Sequence, residues 1–217
     1  MLLLACSFPL HAAQRTPTIK NLVEYSLTLS RHETQFKFNS TQHQTKLNRL
    51  GINWYETFGP HFQAGLEVGY LEMLQATNPQ NSSKNTNGEY VGLLFRFMPV
   101  RKTSYAINFN INYRYNRTKG NDNIQVTTFT WHEALASSEL QLHVTEKMKF
   151  SLAAEYQLVD GEKRDTGTTY QTSTFDVNKK HGLRYGLHFT LRPTEVIGFE
   201  WSSGYKDGAQ LYFSRQF

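Results

Sequence analysis

The sequence predicts an all-β chain closed into a ten-stranded antiparallel up-and-down transmembrane β-barrel. Three observations carry this expectation. Apolar and polar residues alternate with period two in ten segments. The connections between segments fall strictly in turn into tight and mostly longer polar ones, and aromatic residues gather near both ends of the segments. Eight strands is the alternative, if "YKDGAQ" is a bulge within one long final strand.

The first strand carries Val23, Tyr25, Leu27 and Leu29 against Glu24, Ser26, Thr28 and Ser30. The second sets Leu50, Ile52 and Trp54 against Arg49, Gly51 and Asn53, and the third sets Phe62, Ala64, Leu66, Val68 and Tyr70 against Gln63, Gly65, Glu67 and Gly69. The fourth has Val91, Leu93, Phe95 and Phe97 on one face and Tyr90, Gly92, Leu94 and Arg96 on the other. "YAINFNINYRYN" is the fifth, with Ile107, Phe109 and Ile111 against Asn108, Asn110, Asn112 and Arg114. In the sixth, Ala134, Ala136, Leu140 and Leu142 oppose Ser137, Glu139, Gln141 and His143. Phe129 and Trp131, earlier in that segment, are out of phase, which predicts a bulge or a strand running on past the membrane.

The seventh strand sets Phe150, Leu152, Ala154, Tyr156 and Leu158 against Lys149, Ser151, Glu155 and Gln157. The eighth sets Leu183, Tyr185, Leu187 and Phe189 against Gly182, Arg184, Gly186 and His188. The ninth has Ile197, Phe199, Trp201 and Tyr205 against Gly198, Glu200, Ser202 and Gly204, and the tenth has Ala209, Leu211, Phe213 and Phe217 against Gln210, Tyr212 and Ser214. The Asp-Gly of "KDG" is a hairpin signal between the last two.

A soluble sandwich also alternates, so the connections and aromatics decide for a membrane. Tight turns at "FGPHF", "MPVRKTS", "TEKM" and "RPTE" mark one end, and polar loops such as "SRHETQFKFNSTQHQTK" and "DGEKRDTGTTYQTSTFDVNKK" mark the other. Phe58, Phe62, Phe97, Tyr105, Phe150 and Phe189 lie near the turn end, and Tyr70, Tyr113, Tyr115, Tyr156, Trp201 and Tyr205 near the loop end. Two such girdles suit rings held at both head-group levels.

Composition agrees. The chain has 217 residues, 39% of them hydrophobic. Its mean hydropathy is −0.55, and no apolar run reaches the eighteen or so residues of a spanning helix. Residues 1–13 read as the remnant of a secretory signal lacking a positive leader, as though the start were placed too far downstream; residues 14–20 read as a periplasmic segment and 21–217 as the barrel. Cys6 is the sole cysteine, so disulfides and thiolate chemistry are excluded from the barrel. The net charge of +5 is scattered, with no motif to organise nucleic-acid binding.

With its apparent signal, ten alternating segments and "AQLYFSRQF" ending on Phe217, the chain resembles the small bacterial outer-membrane β-barrel proteins of the eight- to ten-stranded class. The resemblance covers about residues 21–217 and is architectural. It implies a bacterial outer-membrane location, and a final strand, through Leu211, Phe213 and Phe217, similar to the signal read by the barrel-assembly machinery. Arg215 departs from that pattern with a charge in the outward register, where it is expected to snorkel to the interface.

The inward charges Glu24, Arg49, Glu67, Arg96, Arg114, Glu139, His143, Glu155, Arg184, His188 and Glu200 are expected to form a lumen network. Arg114 is expected to cross the lumen to Glu67, Glu200 or Glu24 and leave a water-thin path, over inward glycines on strands two to four, eight and nine. No cofactor or metal is expected: the eight histidines lack ligand spacing, with His32 and His43 in a loop. Rim residues His132, Glu133, Ser137 and Ser138, with Asp160, Asp165, Asp176 and Asp207, raise a hydrolase as the weakest alternative, because geometry and not spacing makes a triad. The expected role is structural or surface-interacting, through loops toward lipopolysaccharide or an extracellular partner. A narrow passive channel for small polar solutes is the alternative.

Overall fold

The computed structural model describes residues 22–39, 41–75, 85–121, 125–167 and 170–217; the expected signal and periplasmic segments lie outside them. The strands are β1 (Val23–Phe38), β2 (Thr41–Phe58), β3 (Phe62–Leu74), β4 (Asn85–Arg101), β5 (Tyr105–Asn121), β6 (Gln125–His143), β7 (Met148–Gly167), β8 (Gln171–Val177), β9 (His181–Arg192), β10 (Glu195–Ser203) and β11 (Lys206–Gln216). Neighbours pair antiparallel, and β11 closes on β1 from Glu24↔Gln216 to Thr34↔Lys206. Seven strands, β1 to β7, followed by β9, β10 and β11, thus form the expected ring of ten.

The additional strand, β8, falls in the stretch expected to be loop. β8 pairs with β7 over Asp160–Asp165 and with β1 through Phe36↔Val177, Lys37↔Asp176 and Phe38↔Phe175. It continues the line of β9 beyond the tip of the β10–β11 hairpin. That hairpin turns at Gly204 (φ +110) and Tyr205, three residues before the expected Asp207-Gly208, and Asp207 Oδ1 accepts from the Gly204 N–H at 3.2 Å. Above its tip the ring closes with eight strands, β1 to β8.

Tyr205, expected on the lipid face, turns inward there and is buried, donating to Glu155 Oε2 at 2.7 Å. A tyrosine ring in the lumen gains the polar partner that its hydroxyl lacks in lipid. The "SRHETQFKFNSTQHQTK" stretch is likewise no loop, but the outer halves of β1 and β2, paired to Phe38↔Thr41. His32 and His43 are accordingly buried strand residues.

β6 holds one register against β5 and β7 along its whole length, so Phe129 and Trp131 mark no bulge. The irregularities lie at Phe97/Val100 and Glu195/Val196, at the turn end. What inverts is polarity. In the ten-stranded part Leu27 and Leu29 are 52% and 56% exposed while Ser26 and Ser30 face in; farther along the same strand Phe36 and Phe38 are 1% and 5% exposed while Gln35 and Lys37 face out. Lipid outside rewards the first arrangement and water outside rewards the second. One set of strands therefore builds a membrane-type barrel below and a water-type barrel above.

Except for Tyr205, both aromatic rows are exposed on the outer wall, from Phe58, Phe62 and Phe150 at the turn end to Tyr70, Tyr115 and Trp201 at the loop end. Phe109, 45% exposed between the rows, is expected to cost about 2–4 kcal/mol as Phe109→Arg, the penalty of a basic group near the bilayer midplane. Asn110→Arg, facing the lumen, is expected to cost less. Chemical unfolding in lipid vesicles compares the two.

Candidate functional site

The lumen is the site, and it is built in three levels. Nearest the turns, Arg96 Nη1 stands 3.8 Å from Glu24 Oε2, donates to Gln63 Oε1 at 3.0 Å, and lies 4.6 Å from the Tyr55 ring centre. His143 turns to the Thr103 carbonyl at 2.8 Å and, among the described residues, joins no ion pair. His188 is held by Ser151 Oγ at 2.8 Å and the Tyr212 hydroxyl at 2.7 Å. The serine is 1% exposed.

The middle level has two charge clusters. Arg184 meets Glu139 at 2.9 Å, Glu155 at 2.8 Å and Glu200 at 2.5 Å, with Lys206 4.0 Å from Glu155. Arg114 meets Glu67 at 2.5 Å and Glu133 at 3.0 Å, and Arg49 meets Glu133 at 2.6 Å. Buried guanidiniums need such saturation, because a single stranded charge costs several kcal/mol.

Arg114 does not cross the lumen. It lies along the wall over Gly92, whose missing side chain leaves the path from β5 to Glu67 on β3 open. Tyr90 lies the same way over Gly69 and Gly51, Tyr205 over Gly182, and Tyr212 over Gly198. The inward glycines are thus mainly seats for tyrosine rings, and the lumen centre stays open. Arg49 on β2 makes the crossing instead, reaching Glu133 on β6. Glu133 shares the parity of Glu139, which marks it as inward on the unbroken β6. Lys206 was hidden in the expected turn.

The third level is an apolar cluster flanked by the buried Lys163–Asp165 pair and by Thr45 and Thr127. Phe36, Phe38, Leu47, Leu71, Met73, Tyr90, Phe129, Trp131, Val159, Phe175 and Val177 form one buried cluster inside the eight-stranded ring. Phe175 is its hub, with ring centres 4.8 Å from Phe36, 5.0 Å from Phe38, 6.1 Å from Phe129 and 6.2 Å from Trp131, over the bare Cα of Gly161. Eight strands leave an interior that side chains just fill, while ten leave a remainder. That remainder is a cavity of about 1540 Å³ reaching from the turn end to the middle level, separated from a void of about 20 Å³ under Trp131.

The rim residues do not assemble. His132 is on the outer wall, 2.6 Å from the Tyr113 hydroxyl, while its neighbour Glu133 faces inward. Ser137 and Ser138 point to opposite faces, and Asp165 is buried against Thr127 at 2.6 Å and Lys163 at 2.8 Å. Among the described residues no group of three His, Cys, Asp or Glu side chains is placed to hold a metal ion.

No protein-family model and no curated protein matches the chain. Solved structures do match. The β domain of the Bordetella autotransporter BrkA aligns with a TM-score of 0.54 at 11% identity, over 91% of this chain and 99% of that one. The translocator domain of the autotransporter NalP from Neisseria meningitidis gives 0.53 at 8%, over 93% and 90%. An outer-membrane channel from Pseudomonas putida F1 gives 0.53 at 5%, over 95% and 100%. At these identities the likeness carries the fold alone: the chain is a closed antiparallel β-barrel of the architecture that these different bacterial proteins share.

Proposed function

We propose that the protein acts without catalysis in the outer membrane, presenting its eight-stranded extension at the cell surface while its lumen carries no continuous path. The apolar cluster above the Arg49–Glu133 pair carries this reading, because ions do not cross a packed aromatic core. The occlusion thus comes from the extension and not, as the inward arginines implied, from a crowded membrane-level lumen. The start of β1, the end of β11 and the tight turns share one end, which is periplasmic in barrels of this kind. The opposite end offers polar faces such as Gln35 and Lys37 to lipopolysaccharide or an extracellular partner.

Recording in planar bilayers tests the closed lumen: the unmutated protein is expected to show no steady conductance, and a large steady one would replace this reading with that of a narrow passive channel. Labelling of intact cells with a membrane-impermeant amine reagent is expected to reach Lys37 on the extension.

The closing strand also supports assembly by the barrel-assembly machinery. Phe217 packs edge-on against Tyr25 at 5.9 Å, its N–H bonds the Val23 carbonyl at 2.8 Å, and Arg215 leans over its ring at 4.9 Å toward Glu195 at the turn end. Deleting Phe217 is expected to lower the heat-modifiable fraction in outer membranes without creating a soluble form.

A further inference from the structure

The arginines of the middle level are saturated, but the cations nearer the turn end are not. Two cations, Arg49 and Arg114, share Glu67 and Glu133, and Arg184 with Lys206 faces three carboxylates. Below them the same cavity is lined by Arg96, Arg101, Lys102 and Lys149, answered by Glu24 and, out in a turn, by Glu146. Glu24 is 3.8 Å from Arg96 and also accepts from Gln216 at 3.3 Å.

Lys149 sits in cross-strand register between His143 and His188. Both histidines are bonded elsewhere, and among the described residues neither Lys149 nor Arg101 has an ion pair. Cationic groups that project into an open cavity with low-dielectric walls focus a positive field on its contents.

We propose that this turn-end chamber binds a small anion bearing two or more carboxylates, held between Lys149 and Arg96 with Arg101 at the mouth. The chamber is the turn-end part of a cavity whose whole volume of about 1540 Å³ exceeds the space a small-molecule site requires, so such a solute, entering from the periplasmic side, remains partly hydrated. The amides of Asn110 and Gln141 also lie on the chamber wall, each donating one N–H to the protein, Asn110 to Ser137 Oγ at 3.2 Å and Gln141 to Glu139 Oε1 at 2.6 Å, which leaves each a second N–H beside the cations. The site is a dead end under the apolar cluster. It is nevertheless independent of the surface role proposed above, since the same cations would face the same chamber in a conducting barrel.

Citrate is the probe, titrated calorimetrically at low ionic strength into the full chain in a zwitterionic detergent. One saturable site is expected, weakened at least tenfold by Lys149→Gln and by Arg96→Gln, weakened strongly by added salt, and unchanged by Lys179→Gln at the loop end. Heat-modifiable migration certifies each variant as folded. If Arg96→Gln does not fold, Arg101→Gln, which removes an exposed cation without an internal partner, takes its place. Absence of saturable heat from the unmutated protein overturns the proposal. So does undiminished affinity in folded Lys149→Gln, or binding of an acidic peptide where citrate does not bind.

Discussion

Phe175→Ala is expected to cost the eight-stranded extension about 3–5 kcal/mol, the range for truncating a buried aromatic. The position makes the upper part of that range the expectation. Phe175 touches four other aromatic rings, and its own strand β8 is held to β1 by three residue pairs only. Gly161 beneath it has no side chain with which to fill the space. The ring of ten keeps all its pairings, so the variant should stay heat-modifiable in detergent while a protease newly cuts around β8. Combined with Trp131→Ala, the truncation should admit small, flickering conductance across a planar bilayer. A variant as protease-resistant as the parent would mean that the cluster does not hold the extension together.

Glu133→Ala should be comparably costly for an electrostatic reason. Its carboxylate, 3% exposed, is shared by Arg49 at 2.6 Å and Arg114 at 3.0 Å. Removing it leaves two guanidiniums facing each other without their common partner, a loss of about 3–5 kcal/mol for a broken buried pair. The sign of the coupling is the sharper test. Removing Arg49 together with Glu133 restores balance, because Arg114 keeps Glu67 at 2.5 Å. The double variant Arg49→Leu, Glu133→Leu is therefore expected to be more stable than Glu133→Ala alone in urea titrations on vesicles. Additive losses would mean that the three groups do not act as a unit.

These expectations rest on placements that were unequally legible. The inward set from Glu24 to Glu200 could be read by parity, since a strand sends alternate side chains to opposite faces and lipid tolerates only one kind. Parity gives a face but no partner. Arg114 and Glu67 meet because Gly92 stands between them in register, and Arg49 finds Glu133 four strands away around the ring. Tyr205 escaped parity because the chain reverses beside it at Gly204.

By itself the sequence determined an antiparallel barrel of alternating strands, its lipid face, its two aromatic rows and the end at which the turns are tight. Each of these follows from local periodicity read against one surrounding solvent. The extension could be read only as one of two alternatives, a bulge or a strand running on past the membrane, because "HETQFKF" and "TFTW" have the same alternation with the faces exchanged. Exchanged faces describe a slipped strand in lipid or an unslipped strand in water. Only the closure of β8 against β1, which brings Val177 to Phe36 and Phe175 to Phe38, decides for water. That contact spans most of the chain, and it reduces the ring from ten strands to eight, so that apolar side chains fill above the membrane what stays hollow within it.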